Sequence, residues 1–307
     1  MVRYLFRISY IGTKYRGSSK QPACPNETIQ GVMENALQSL NLQNVPLTSF
    51  ASRTDKGVHA LMNTFHAELV HSISGEVFQP HFVTRHLNSY LKENNHEILV
   101  AKTCVVPDTF HARHDAKWRS YIYRLAVLKP EIKAKFSLNG SYEEYLPVSE
   151  VNRCHVIPSE LNTNVVQDVT GLFCGAHNFT TFTNRTKQEP WRDTNRVIDE
   201  CKFYESSNHR LLDDVRYSNI HMWEFYIKSR AFLYHQIRKL VGTALSAGFG
   251  LLSITDVEFM LKKPNPNGWR KSTLVPSCGL YLSNVAYNRE GFVYHSALEE
   301  KEEETFH

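Results

Sequence analysis

The sequence predicts an α+β chain in two halves, with mainly antiparallel sheets. Three observations point there. Short apolar strands are interspersed with segments of helical period. The order of these elements in the first part of the chain recurs, loosely, in the second. A length of 307 residues suits two domains of ordinary size better than one core. With 42% hydrophobic and 21% charged residues the composition is that of a soluble globular protein and excludes wholesale disorder. No apolar run approaches the ~20 residues a membrane helix needs, so no membrane span is expected.

In chain order, a strand over 3–10 is rich in aromatic and β-branched residues. A helix follows over about 28–41, opened by Thr28 as N-cap, with Ile29, Val32, Met33, Ala36, Leu37 and Leu40 on one face. Strands near 47–53 and 62–70, a helix near 80–92 and a strand near 97–106 complete the order β-α-β-β-α-β. That is the split βαβ, or ferredoxin-like, arrangement. The second half runs as a strand at 118–127, a helix near 164–173, strands near 195–204 and 221–230, helices at about 231–248 and 255–262, and a last strand at 279–288. No sequence period accompanies the recurrence, so duplication is read from element order alone. The expected boundaries are a first half at 1–112, a second at 113–298 and an acidic tail at 299–307.

The net charge of +4 understates the basicity of the body, because Glu299 to Glu304 hold five glutamates and one lysine. Without that tail the chain carries +8 (+4 less the tail's −4), which favours a polyanionic partner through counterion release. The cysteines at 24, 104, 154, 174, 201 and 278 form no C-x-x-C pair, and inert thiols in a reducing, intracellular compartment are expected. His111 and His114 form H-x-x-H without a second ligand pair, so no metal is expected. The first 26 residues hold Arg3, Arg7, Lys14, Arg16 and Lys20 but no acid. This suits a mitochondrial address, in preference to a cytoplasmic or nuclear one, as well as it suits a strand.

Three segments could carry chemistry. Ala51-Ser-Arg-Thr-Asp55-Lys-Gly-Val-His-Ala60 joins two apolar strands. Its middle reads equally well as a plain turn, but Arg53 two residues before Asp55 would share a strand face with it and keep the carboxylate ionised. Around Tyr121 and Tyr123, the cations Arg113, Lys117, Arg119, Arg124 and Lys129 oppose the single Asp115. Rings interleaved with cations suit RNA, and equally a charged strand edge. The third is the amphipathic 231–248 segment. Leu233, Ile237, Leu240, Val241, Ala244 and Leu245 form its stripe, and Arg238 lies at the margin, where it could face a cleft or merely cover the core edge.

Together these segments resemble the TruA-type tRNA pseudouridine synthases, closest to their eukaryotic synthase-like branch. Ser52-Arg53-Thr54-Asp55-Lys56-Gly57-Val58-His59-Ala60 is similar to the family's S-R-T-D-x-G-V-H-A signature. Phe110-His111-Ala112-Arg113, Tyr121-x-Tyr123, Gly175-Ala176-His177-Asn178-Phe179, Ala231-Phe232-Leu233-Tyr234-His235-Gln236-x-Arg238 and Pro276-x-x-Gly279-Leu280-x-Leu282 resemble its later motifs, in order. Two departures bear on the RNA chosen rather than on the chemistry: Gly17 is followed by Ser18-Ser19 where a Gly-Trp-Gln type is usual, and Asn178 replaces an Asp.

The resemblance implies two α+β domains around a central basic cleft, commonly as a homodimer, acting on tRNA in the anticodon arm without a cofactor. Asp55 would be the nucleophile, at C1′, at C6, or as a base along a glycal path. Arg238 would pair with Asp55, Tyr121 would stack on the flipped uracil, and Arg53 would fill the vacated space. Arg113, Lys117, Arg119 and Arg124 are the expected RNA-binding cations. An idle RNA-binding protein would have no use for Asp55, Tyr121 and Arg238 together, and an enzyme of free nucleosides would not need so basic a surface.

Overall fold

Alternating apolar side chains make the N-terminal segment a strand with both neighbours satisfied. In the computed structural model, which describes residues 1–133, 142–158, 160–184, 193–206, 214–290 and 292–293, β1 (Val2–Tyr10) pairs antiparallel with two later strands. The expected tail at 299–307 lies outside the described residues. The elements that follow are α1 (Ile29–Gln38), β2 (Thr48–Phe50), β3 (His59–Leu69), α2 (Pro80–Glu93) and β4 (Ile98–Val105). Strands run in the order β4-β1-β3, with β2 on the far side of β3, all antiparallel. Thr28 caps α1 through its side chain, which accepts from the Gly31 amide, as its residue type requires. The buried face of α1 (Ile29, Val32, Met33, Ala36, Leu37) and Val83, Leu87 and Leu91 of α2 complete the core, with Phe65 stacked between Phe6 and Phe50.

The second part is built from β5 (Trp118–Leu128), a short α3 (Pro130–Lys133), β6 (His155–Ile157), α4 (Thr163–Leu172), β7 (Gly175–Asn178), β8 (Asn195–Glu205), β9 (Ile220–Ser229), α5 (Gln236–Gly248), α6 (Ile254–Lys262) and β10 (Leu280–Ala286). β5 pairs antiparallel with β9 from Arg119↔Ser229 to Leu128↔Ile220; β9 pairs with β8 and β8 with β7, also antiparallel, while β6 lies parallel to β5. The fold is thus α+β and mostly antiparallel, with six α-helices among the described residues. None of these helices is long and apolar enough to cross a membrane.

By contacts the chain forms two compact units, one from Met1–Lys117 with the residues from Leu282 onward, the other from Trp118–Tyr281. The expected halves, 1–112 and 113–298, are drawn at different points. Lys117 donates its amide to the Ala286 carbonyl, and Val293 bridges Val105, so both segments belong with the first unit.

One expected helix begins later than its pattern suggests. The 231–248 segment turns helical only at Gln236, because His235 adopts a left-handed φ of 60° and the Gln236 side chain accepts from the Leu233 amide at 2.8 Å. The amphipathic reading also understates α5: every one of its residues except Arg238 is buried. Strands β6 and β7 escape pattern reading because they are too short to show an alternation.

Candidate active site

The first unit presents Asp55 on a loop whose two ends are strands and whose middle is held by side chains. Ala51 to Val58 is not extended strand, so the alternation expected to put Arg53 and Asp55 on one face does not operate; Arg53 is exposed and Asp55 half-buried. The Val58 amide closes a turn onto the Asp55 carbonyl at 3.2 Å, with Gly57 at φ 79°, a conformation glycine adopts at little cost.

The flanks of Asp55 are clamped from the 10–18 segment. The Thr54 amide donates to Ser18 Oγ at 2.7 Å, and the Ser18 amide donates back to the Thr54 carbonyl at 3.0 Å. Thr54 Oγ1 and the Tyr10 hydroxyl are 2.8 Å apart, and the Asn63 amide group donates to Tyr10 at 3.2 Å and to the Ser52 carbonyl at 3.1 Å. Beyond the turn, the Gly12 amide donates to His59 Nδ1 at 3.0 Å. A Cβ on Gly12 would stand 1.9 Å from the Val58 carbonyl oxygen, and one on Gly17, itself at φ 99°, 2.9 Å from that of Thr54. These holding residues are ones the sequence reading missed; the small Gly17-Ser18 pair, where the resemblance departs from its pattern, is the signal that could have found them.

Arg113 and Lys117 also belong to this unit and are exposed. Next to them, His66 and His111 stand ring to ring at 4.8 Å; burial and then the neighbouring His111 push His66 down to about 4.

In the second unit Tyr121 is a buried strand residue, 6% exposed, with Phe232 edge-on at 5.2 Å. Tyr123 lies deeper and donates its hydroxyl to the Pro276 carbonyl at 2.8 Å; burial holds that phenol well above its ordinary value.

The expected cations of β5 each have a protein partner. Arg119 is 7% exposed and donates to the Arg230 carbonyl at 2.6 Å. Arg124 pairs with the buried Glu150 at 2.8 Å and with Glu224 at 3.5 Å. Burial alone would lower the Arg124 guanidinium, but Glu150 more than offsets it and raises it. Five residues apart on β5, the two leave by opposite faces, and each meets a protein acceptor there.

Arg238, the one residue of α5 that is not buried, donates Nε to the Val275 carbonyl at 2.8 Å. The segment carrying Val275 is fixed to α5 at further points. Gly242 admits the Thr273 carbonyl where a Cβ would be 2.2 Å away, Trp269 Nε1 donates to Thr243 Oγ1 at 2.9 Å, and the buried Lys239 ammonium lies 4.6 Å from the Trp269 ring centre. Asn178, the second departure from the family pattern, accepts from the Thr180 amide and the Thr194 hydroxyl, both at 3.0 Å, roles its side-chain oxygen fills as an Asp would. No group of three or more His, Cys, Asp or Glu among the described residues could hold a metal.

Comparison with known proteins bears on the same segments. The family profile described as tRNA pseudouridine synthase matches residues 170–288, the stretch that carries Asn178, Arg238 and Val275. "tRNA pseudouridine synthase-like 1" of Mus musculus is 30% identical over 291 residues, covering 94% of this chain and 95% of its own. The protein of that name from Xenopus laevis is 29% identical over 93% of this chain and 91% of its own. "tRNA pseudouridine synthase A" of Bartonella quintana is 28% identical over 94% of this chain and its entire length. Likeness of that extent, reaching from the clamped Asp55 loop to the Arg238 helix, makes the chain a member of the TruA-type tRNA pseudouridine synthase family.

Proposed function

We propose that this protein isomerises uridine to pseudouridine in tRNA, in the anticodon arm, with Asp55 as nucleophile and no cofactor. The observation that carries the reading is the Asp55 loop: a half-buried carboxylate preceded by Ser52 and Thr54, which Asn63, Ser18 and Tyr10 hold, and followed by His59, which Gly12 holds. A nucleophile on a loop needs such immobilisation if its reach is to be fixed.

In this reading the N1–C1′ bond of the target uridine breaks, the uracil turns, and C5 bonds to C1′; the C5 proton leaves to a base and the freed N1 takes one up, so atoms and charge balance. Arg238 pairs with the carboxylate and keeps it ionised and aimed. Tyr121 stacks on the flipped base, and Arg53 takes the space it leaves. Flipping costs a few kcal/mol, least in an unpaired loop. Arg113 and Lys117, both exposed, meet the RNA backbone, while Arg119 and Arg124 brace β5. We assign the units as ferredoxin-like halves facing a basic cleft, the assembly as a homodimer, and the compartment as mitochondrial, the last on the acid-free first 26 residues.

The test is Asp55→Asn. The amide keeps the shape and removes the nucleophile, so single-turnover isomerisation of a tRNA transcript should vanish while the transcript still binds. A mutant that keeps a tenth of the wild-type rate would show that Asp55 is not the nucleophile.

A further inference from the structure

After α6 the chain builds a cavity that none of the residues above occupies. It has a volume of about 430 Å³, within the roughly 300–1,000 Å³ of ligand clefts. Phe259 and Lys263 line one part of it, Pro264, Pro266 and Gly268 the loop side, and Thr181 the floor. The floor is fixed: Thr181 Oγ1 accepts from the Asn265 amide at 2.9 Å and donates to the Met260 carbonyl at 3.3 Å.

The surroundings are cationic. Between Phe259 and Tyr281 the sequence has no Asp or Glu, but it has Lys262, Lys263, Arg270 and Lys271. Two acids of the preceding turns face this group: Glu258 pairs with Lys262 at 2.8 Å, and Lys271 helps hold the Asp256 carboxyl below its usual range, after the stronger effect of its bonds to Ser253. Lys263 and Arg270 are exposed and have no acidic partner within 4.0 Å among the described residues. Lys263 instead stands 5.4 Å from the centre of the Phe259 ring, and that ring is 58% exposed on a helix that has buried Val257 and Leu261 for its core. More than half of this ring is thus open to solvent, beside an ammonium with no acidic partner among the described residues. It is the pairing that stacks an unpaired base while neutralising its phosphate.

We propose that this cavity is an accessory RNA site, which takes one unstacked nucleotide of the substrate with its base against Phe259 and its phosphate on Lys263. The inference rests on the proposed tRNA reading and extends it to a second contact. The loop that walls the cavity is the one Trp269, Thr273 and Val275 bind to α5, so it is a stiff wall and not a flap. The contact is made equally in ground and transition states, and it therefore governs binding rather than turnover.

The experiment measures Kd of the full chain for a tRNA transcript, without turnover, against salt. Phe259→Ala should weaken binding about tenfold at every salt concentration, and Phe259→Trp should restore it. Lys263→Gln should lower the slope of log K against log salt by about 1. In turnover, Phe259→Ala should raise KM and leave kcat within twofold. Both side chains are exposed, so the variants should fold as wild type by circular dichroism. Wild-type affinity in both Phe259→Ala and Lys263→Gln overturns the proposal, as does failure of Phe259→Trp to restore binding. Capture of a protein in place of RNA, with tRNA affinity unchanged, overturns it too. Because Kd needs no chemistry, a wild-type chain that binds tRNA through Phe259 but isomerises nothing would refute the synthase reading alone.

Discussion

Asp55 and Arg238 are held by opposite means. Asp55 sits on irregular backbone, fixed by donors and acceptors borrowed from residues 10–18 and 63, whereas Arg238 sits on a helix buried all round and is tied down by the carbonyl of Val275. The helix derives its rigidity from burial, a cooperative property that survives small losses. The loop derives its rigidity from a few individual hydrogen bonds, each of which is exposed to single substitutions. Both regions share one device, a glycine that admits a carbonyl oxygen: Gly12 under Val58 and Gly242 under Thr273.

The contrast can be broken most severely at Gly12. With its Cβ 1.9 Å from the Val58 oxygen, Gly12→Ala forces the loop backbone away and is expected to cost about 3 kcal/mol, the upper part of the overpacking range. A urea-denaturation loss below about 1 kcal/mol would mean the loop yields freely and is not clamped.

A finer comparison sets Ser18→Ala against Trp269→Phe. The first strands a buried Thr54 amide and should cost about 2 kcal/mol with a fall in activity. The second leaves Thr243 Oγ1 still bonded to the Lys239 carbonyl and should cost about 1 kcal/mol. Equal losses would erase the distinction between loop and helix.

The smallest effect is common to both units. Burial pushes His66 in the first and His155 in the second down to about 4. Below the ordinary value near 6.5 the unfolded chain takes up protons that the folded chain refuses. Stability is therefore full above about pH 6.5 and falls as pH drops toward 4. Between pH 7.5 and 6 each histidine should cost under about 1 kcal/mol. Their ring resonances should show no titration in the folded protein at pH 6; a midpoint near 6.5 for either would refute its share.

Periodicity made the regular elements legible. Thr28 announced the start of α1, and Leu233 to Leu245 the existence of α5, because caps and stripes are local properties. The beginning of α5 was not legible: the turn at His235 depends on Gln236 reaching back to the Leu233 amide, and on the Tyr234 carbonyl accepting from Thr183 and Asn184, residues remote in sequence. Asp55 stood out by motif. The clamp of Ser18, Tyr10 and Asn63 did not, since hydrogen bonds between segments leave no period. Arg119 and Arg124 read as surface cations because alternation sets them on opposite faces of β5 but does not report that the Arg230 carbonyl meets one and Glu150 the other.

The first unit is discontinuous, and synthesis gives that a temporal meaning. Trp118–Tyr281 can close as soon as it has left the ribosome, since β5 to β9 are then present. The unit that holds Asp55 emerges first and finishes last. The Tyr287 hydroxyl that bonds the Thr64 hydroxyl and the Ala112 carbonyl, and the Phe292 ring against Phe110, are made only near the end of the chain. Until then its apolar strands stand incomplete. The nascent protein thus carries a finished Arg238 helix while the unit around the Asp55 loop, whose own clamp lies within residues 10–63, still lacks its last contacts.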